Sequence, residues 1–224
     1  MRWLKGAAWA FLLLVVASVA LTLPLRWLDP PTTAFMVADD SGRIPVLQEW
    51  VDWSGLGSAA PLAVVAAEDQ RFADHFGFDV ESITRSIQAA EGGGRLRGAS
   101  TITQQLAKNL YLWNGRSFVR KGLEAWLTFY LELCLPKRRI LELYLNAIEL
   151  GPGIYGVGAG SEHFFGKAPA ALSDREAALL AAVLPNPNRL RVDQPSSYVR
   201  ERQRWIGEQL ARLRREDWLR RIDN

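Results

Sequence analysis

The sequence predicts a mainly α fold, with one N-terminal helix able to span a membrane and a helical lobe behind it. Three observations support this. Residues 6–25 run for twenty positions without a charge. From residue 58 onward the apolar positions recur at helical spacing, and alternating strand patterns are scarce. At 224 residues the chain is long enough for one substantial domain and an appendage.

Composition removes several function classes. Net charge is only +3, so no nucleic-acid footprint is expected. Cys134 is the sole cysteine, which excludes an internal disulfide and a thiolate zinc cage. It lies in Leu131-Glu132-Leu133-Cys134-Leu135 and reads as a small buried hydrophobe. His75 and His163 are too few and too far apart for a histidine metal site.

Residues 1–27 read as a cytoplasmic tip and transmembrane anchor. A helix of twenty residues, rising about 1.5 Å each, spans about 30 Å, the depth of a bilayer core. Arg2 and Lys5 precede it, so the positive-inside rule puts the N-terminus in the cytoplasm and the rest outside. Trp3 and Trp27 stand at the two interfaces. Ser18-Val19-Ala20 resembles a signal-peptide cleavage site, but the apolar run continues past it, which favours a retained anchor.

Residues 28–57 form a connector rich in proline and glycine, with a short strand expected at 34–37. Residues 58–224 form the principal domain. Its first helix follows Ser58 as a candidate cap, with Pro61 near the first turn. A second covers 79–90, with Val80, Ile83 and Ile87 on one face. Gly92-Gly93-Gly94-Arg95-Leu96-Arg97-Gly98 then reads as a flexible loop with two arginines for an anion. Ser100 is the expected cap of the helix that carries Gln104, Gln105 and Lys108. A long helix spans 118–133, striped by Leu123, Trp126, Leu127, Tyr130 and Leu131. The segment 139–148 is apolar nearly all round and should be the central buried helix. Ser173-Asp174-Arg175-Glu176 is a capping box opening the next helix. The last helix, from about Ser197, mixes arginine with Trp205, Ile206, Leu210, Leu213 and Trp218. From Arg200 to Asp223 it holds eight arginines against five acids and reads as an amphipathic helix packed on the lobe.

Residues 98–109, Gly-Ala-Ser-Thr-Ile-Thr-Gln-Gln-Leu-Ala-Lys-Asn, hold too few apolar positions for ordinary core, and such a run costs stability unless it binds something polar. Glu68 ends an apolar helix and leads into a loop with Phe72, Phe76 and Phe78. A carboxylate held beside apolar walls suits a general base, although a solvated helix end explains it equally well. Arg120, Lys121 and Glu124 share one helix flank. A surface ion pair worth about 0.3–0.5 kcal/mol accounts for them; the functional alternative is a phosphate site. Asn146 reads as a structural residue closing its helix onto a loop. Two carboxylates with a ring of lysine and arginine suit one problem: a sugar hydroxyl is deprotonated while a diphosphate leaves an anomeric carbon. The chain lacks an Asp-x-Asp pair and a Gly-rich dinucleotide fingerprint. A lipid-borne diphosphate therefore fits better than a nucleotide sugar.

Four ordered motifs carry a resemblance. They are Glu68-Asp69-x-x-Phe72-x-x-His75-x-Gly77; Gly98-x-Ser100-Thr101-Ile102-Thr103-Gln104-Gln105-x-x-Lys108-Asn109; Arg120-Lys121-x-x-Glu124; and Lys137-x-x-Ile140-Leu141-Glu142-x-Tyr144-Leu145-Asn146. Over roughly residues 60–190 they resemble the peptidoglycan glycosyltransferases of glycosyltransferase family 51. No Ser-x-x-Lys occurs, so the likeness is to monofunctional members rather than to those with a transpeptidase. Ala159-Gly160 stands where that family often has two alanines.

The resemblance implies a lysozyme-like helical lobe with a smaller membrane-proximal jaw, at the bacterial inner membrane on its periplasmic side. It implies inverting polymerisation of lipid II into β-1,4 glycan with release of undecaprenyl diphosphate. By motif position, Glu68 would be the base and Glu124 would assist at the donor. Lys108, Arg120, Lys121 and Lys137 would stabilise the diphosphate, while Ser100, Thr101, Gln104, Gln105 and Asn109 line the cleft. In some members of that family a divalent ion, Mg or Mn, sits on the diphosphate; the residues here show no metal-ligand pattern of their own. Implied partners are lipid II, the growing lipid-linked glycan, the membrane and other wall-synthesis proteins, with no nucleic acid. Two rivals stay open: a lytic glycan-cleaving enzyme, which has no use for the basic residues, and a catalytically silent scaffold, which has no use for both glutamates.

Overall fold

Helices account for most of the chain in the computed structural model, which describes residues 2–91, 100–115 and 117–223. The apolar N-terminal stretch forms α1 (Arg2–Thr22), followed by a 3-10 turn at Leu23–Arg26. Trp9, Phe11 and Leu13 of α1 are exposed, and the span 5–26 is long and apolar enough to cross a membrane. Next come α2 (Ala34–Val37), strand β1 (Leu47–Gln48) and α3 (Trp53–Leu56). Behind them lie α4 (Ala59–Glu68), α5 (Val80–Glu91), α6 (Ile102–Tyr111), α7 (Phe118–Cys134) and α8 (Lys137–Ala147). Strands β2 (Glu149–Gly151) and β3 (Ile154–Tyr155) lead into α9 (Gly156–Phe165), α10 (Asp174–Ala182) and α11 (Ser197–Arg215). The three strands form one small sheet in the order β1-β3-β2, with β1 parallel and β2 antiparallel to β3.

The mainly helical expectation holds, and so does the central helix. Ile140, Leu141, Leu143 and Leu145 of α8 are completely buried. Asn146 closes α8 onto the connector: its Oδ1 accepts from the Val51 N–H at 2.8 Å and its Nδ2 donates to the Val51 carbonyl at 2.9 Å. Helices α4, α10 and α11 pack against one another and bury Val199, Ile206, Leu210 and Leu213. The last turns of α1 seat on α7. There Trp126 Nε1 donates to Ser18 Oγ at 2.8 Å, and Thr22 Oγ1 lies 3.3 Å from Cys134 Sγ. At residue 160 an added Cβ would come within 2.5 Å of Leu150 Cδ1, so glycine there lets α9 pack on β2.

Three local expectations are corrected and a fourth is refined. Residues 34–37 are helical rather than a strand, because Thr33 caps them by accepting from the Met36 N–H. Ser58 stands at the N-cap of α4 as expected, but its side chain makes no capping bond; its hydroxyl instead accepts from Arg214 at 2.8 Å. The cap of α6 is Thr101, not Ser100. Thr101 Oγ1 accepts from the Gln104 N–H while Gln104 Oε1 accepts from the Thr101 N–H, a reciprocal capping box. Val80 is exposed rather than packed, and the side chain of Ile87 lies outside the described residues. The glycine-rich loop at 92–98 also lies outside them.

Candidate active site

The first two motifs are knitted by buried polar bonds. Asp69 Oδ2 accepts from the Ile102 N–H at 3.1 Å, and Asp69 Oδ1 lies 2.9 Å from His75 Nε2. The Thr101 hydroxyl donates to the Gly77 carbonyl at 2.7 Å. Gly77 has φ +76°, and an added Cβ would lie 2.7 Å from Thr128 Cγ2, so the turn requires glycine. These bonds set the start of α6 against the end of α4.

That placement puts Gln105 beside Glu68. Gln105 Nε2 donates to Glu68 Oε2 at 2.9 Å, and Tyr144 OH holds the other end of the amide by donating to Gln105 Oε1 at 2.7 Å. The second carboxylate oxygen is held from α11: Arg202 Nη2 donates to Glu68 Oε1 at 3.1 Å. An amide and a guanidinium face this carboxylate. Arg202 was not identified as a site residue in the sequence. It sits in an arginine-rich helix outside the four motifs, and no local signal separates it from its surface neighbours.

Glu124 is only 3 % exposed, which overturns the surface ion-pair account. Arg120 Nη1 donates to its Oε2 at 2.7 Å and Lys121 Nζ to its Oε1 at 2.5 Å. Arg120 is fixed further by Nε donating to the Gly115 carbonyl at 2.7 Å. Ser117 caps α7 by accepting from the Arg120 N–H at 3.0 Å. Glu124 is buried while Lys121 is half exposed, so removing Arg120 would leave a buried carboxylate short of a partner.

Lys108 feels the fields of both acids. Its ammonium lies over the Phe35 ring, 5.0 Å from the centroid, so the helical turn of the connector covers this edge of the site. Burial lowers its pKa; the fields of Glu124 and Glu68 oppose that, while those of Arg120 and Lys121 add to it. Glu149 at the start of β2 is pushed up to about 7 by burial, with Asp39 and Asp40 adding repulsion and Lys108 opposing it.

The remaining candidates divide. Ser100 is exposed beside Glu68 in a groove. Thr101 and Gln104 are buried and form the reciprocal cap of α6, with the Thr101 hydroxyl also donating to the Gly77 carbonyl. Asn109 is buried on the same helix. Lys137 is committed elsewhere: its Nζ donates to Glu132 Oε1 at 2.8 Å and to the His75 carbonyl at 2.6 Å, and lies over the Phe72 ring. Among the described residues no three His, Cys, Asp or Glu side chains form a metal-ligand cluster. Both oxygens of Glu124 are already taken by cations.

A family model for transglycosylases matches residues 41–211. The biosynthetic peptidoglycan transglycosylase of Stutzerimonas stutzeri is 50% identical, covering 93% of this chain and 89% of that protein. Its namesake in Pseudomonas savastanoi pv. phaseolicola is 44% identical over 96% of this chain and 94% of that protein. The protein of that name in Shewanella oneidensis is 48% identical over 89% of this chain and 88% of its own length. With a matched segment that contains Glu68, Gln105, Lys108, Arg120 and Glu124, this chain belongs to the transglycosylase enzyme family.

Proposed function

We propose that this protein polymerises lipid II into β-1,4-linked peptidoglycan glycan and releases undecaprenyl diphosphate. The observation that carries the reading is the pairing in one site of two differently dressed carboxylates. Glu68 is gripped by neutral and cationic donors from two other helices, while Glu124 is locked to Arg120 and Lys121 with Lys108 nearby.

In the reaction, the acceptor sugar 4-hydroxyl oxygen attacks the anomeric carbon of the donor strand. Its proton passes to a Glu68 oxygen as the new C–O bond forms. The anomeric C–O bond to the diphosphate breaks, and its electron pair leaves with the diphosphate. Attack from the face opposite the α-linked leaving group gives the β product in a single displacement, without a covalent sugar intermediate. Arg120, Lys121 and Lys108 meet the charge that grows on the leaving group; the pairing of Arg120 and Lys121 with Glu124 supports a role fixed before that charge forms. Glu124 keeps two of these cations in place. Arg202 and Gln105 hold Glu68 as positioning residues.

Helix α1 would cross the inner membrane with its N-terminus in the cytoplasm, leaving the lobe outside at the lipid surface where a lipid-linked substrate sits. The test is purified lipid II given to the detergent-solubilised chain, with and without Mg²⁺, and product resolved on a gel. Polymer formed by the native chain and lost in Glu68→Gln is expected. Shortening of pre-formed glycan in place of polymer would overturn the synthetic direction.

A further inference from the structure

A groove of about 520 Å³ runs between α10 and α11, and none of Glu68, Gln105, Lys108, Arg120 and Glu124 lines it. The anchor helix seats on α7, whereas α10 and α11 pack on α4 and on each other. The arginines of α11 divide here. Arg202 holds Glu68, Arg212 donates to Gln70 Oε1 at 2.6 Å, and Arg214 donates to Ser58 Oγ at 2.8 Å and pairs with Asp174. Arg200 and Arg204 line the groove instead, together with Arg175 of α10. All three are exposed, and among the described residues none of them enters an ion pair. Arg200 is braced by its Nε, which donates to the Pro195 carbonyl at 3.1 Å. Gln203 Nε2 donates to the Arg175 carbonyl at 2.8 Å and ties the two helices together at this point. Asp174, the acid that lines the groove, is taken by Arg214, and the exposed Glu201 and Glu208 of α11 do not line it.

Ala178 and Leu179 give the groove an apolar part, and Gly207 leaves it open. Glycine inside a long helix weakens that helix. At 207 an added Cβ would meet nothing within 4 Å, so no close contact inside the chain demands glycine there. Three arginines without carboxylate partners, beside an apolar floor, suit an anionic ligand that also carries apolar groups. Residues 200–207 run about 10 Å along α11, the length of three or four residues of extended chain. Alternate residues of such a chain lie about 7 Å apart on one side, close to the spacing of about 6 Å between Arg200 and Arg204, while the residues between them turn to the other side. A small inorganic anion would leave the apolar floor bare.

We infer that this groove is a docking site for an extended acidic segment of a partner protein. Its carboxylates pair with Arg175, Arg200 and Arg204, and the apolar side chains between them meet Ala178 and Leu179. The segment crosses α11 over Gly207, where the backbone has no side chain to hold it off.

The test uses the full-length protein in neutral detergent and a fluorescein-labelled peptide of alternating glutamate and leucine, followed by fluorescence anisotropy. No sugar substrate is present, so the outcome is independent of the polymerase reading. Saturable binding that weakens as salt rises is expected, with no binding of a peptide of equal length that alternates glutamine and leucine. Replacing both arginines of α11, Arg200→Gln with Arg204→Gln, should weaken binding about tenfold, the scale of two lost exposed charge pairs. Gly207→Leu should abolish binding by filling the floor, with no fall in melting temperature because leucine is the better helix former. Equal binding of the glutamine peptide overturns the proposal, as does unchanged affinity in both variants. Full displacement of the acidic peptide by micelles doped with phosphatidylglycerol also overturns it and makes the groove a site for lipid headgroups.

Discussion

The two carboxylates of the site are held in opposite ways. Glu124 takes both cationic partners from its own helix, three and four residues away. Glu68 takes Gln105 from a helix 37 residues on and Arg202 from one 134 residues on. The first arrangement forms as soon as α7 forms. The second exists only when α4, α6 and α11 are packed together. One end of the site is thus a local electrostatic arrangement and the other a tertiary one; in the proposed reaction the first would meet a leaving anion and the second would accept a proton.

This contrast can be broken from either end. The largest effect is expected for Glu68→Gln, which keeps the shape but removes the proton acceptor; lipid II turnover should fall about 10²–10⁴-fold with the melting temperature unchanged. Normal turnover would remove Glu68 from the role of base. Next is Arg120→Ala, with an expected loss of about 10²–10³ in rate at saturating substrate, the scale of one missing preorganised donor. If kcat stays normal, the cations at Glu124 serve folding and not departure of the diphosphate.

Arg202→Met sharpens the comparison, since it strips the long-range partner and leaves Glu68 intact. A fall in kcat of about tenfold is expected, with KM little changed and partial recovery in Arg202→Lys. A rise in KM alone would place Arg202 in substrate binding and not in positioning. The smallest effect concerns stability. The Glu149 carboxyl sits near 7 in the folded chain against an ordinary 4.5, so the folded state holds this proton more tightly than the unfolded state. Its stabilising contribution is full below about pH 4.5 and is lost as pH rises through about 7. Glu149→Gln should therefore raise stability at pH 8 by about 2 kcal/mol relative to its effect at pH 4, measured by denaturant unfolding. Equal effects at both pH values would show that burial does not hold this proton.

Legibility followed the range of the forces involved. The Ser173 and Glu176 capping box is a contact between neighbours in sequence, and it forms as expected. The cap of α6 was equally open to that rule: Thr101-x-x-Gln104 fits the box and Ser100-x-x-Thr103 does not. Residues 34–37 are apolar and only four long, too few for periodicity to tell helix from strand, and the cap at Thr33 decided the matter. The structure brings residues of the first two motifs together through Asp69, Thr101 and Gln105. The motifs alone did not distinguish residues that face the cleft from those that build it, such as Gln104 in its cap and Lys137 on Glu132.

By itself the sequence determined the membrane-length helix, the mainly helical lobe, the buried α8 and the charge triad on α7. Each depends on composition or on residues within about one helical turn of one another. Only the tertiary structure decided that Glu124 is buried, that Arg202 reaches Glu68, and that Arg200 and Arg204 share a groove with Arg175. Those facts depend on which helix faces meet. Side-chain burial and long-range ion pairing are properties of that packing, and a linear pattern of arginines and apolar residues is the same whichever neighbour covers it.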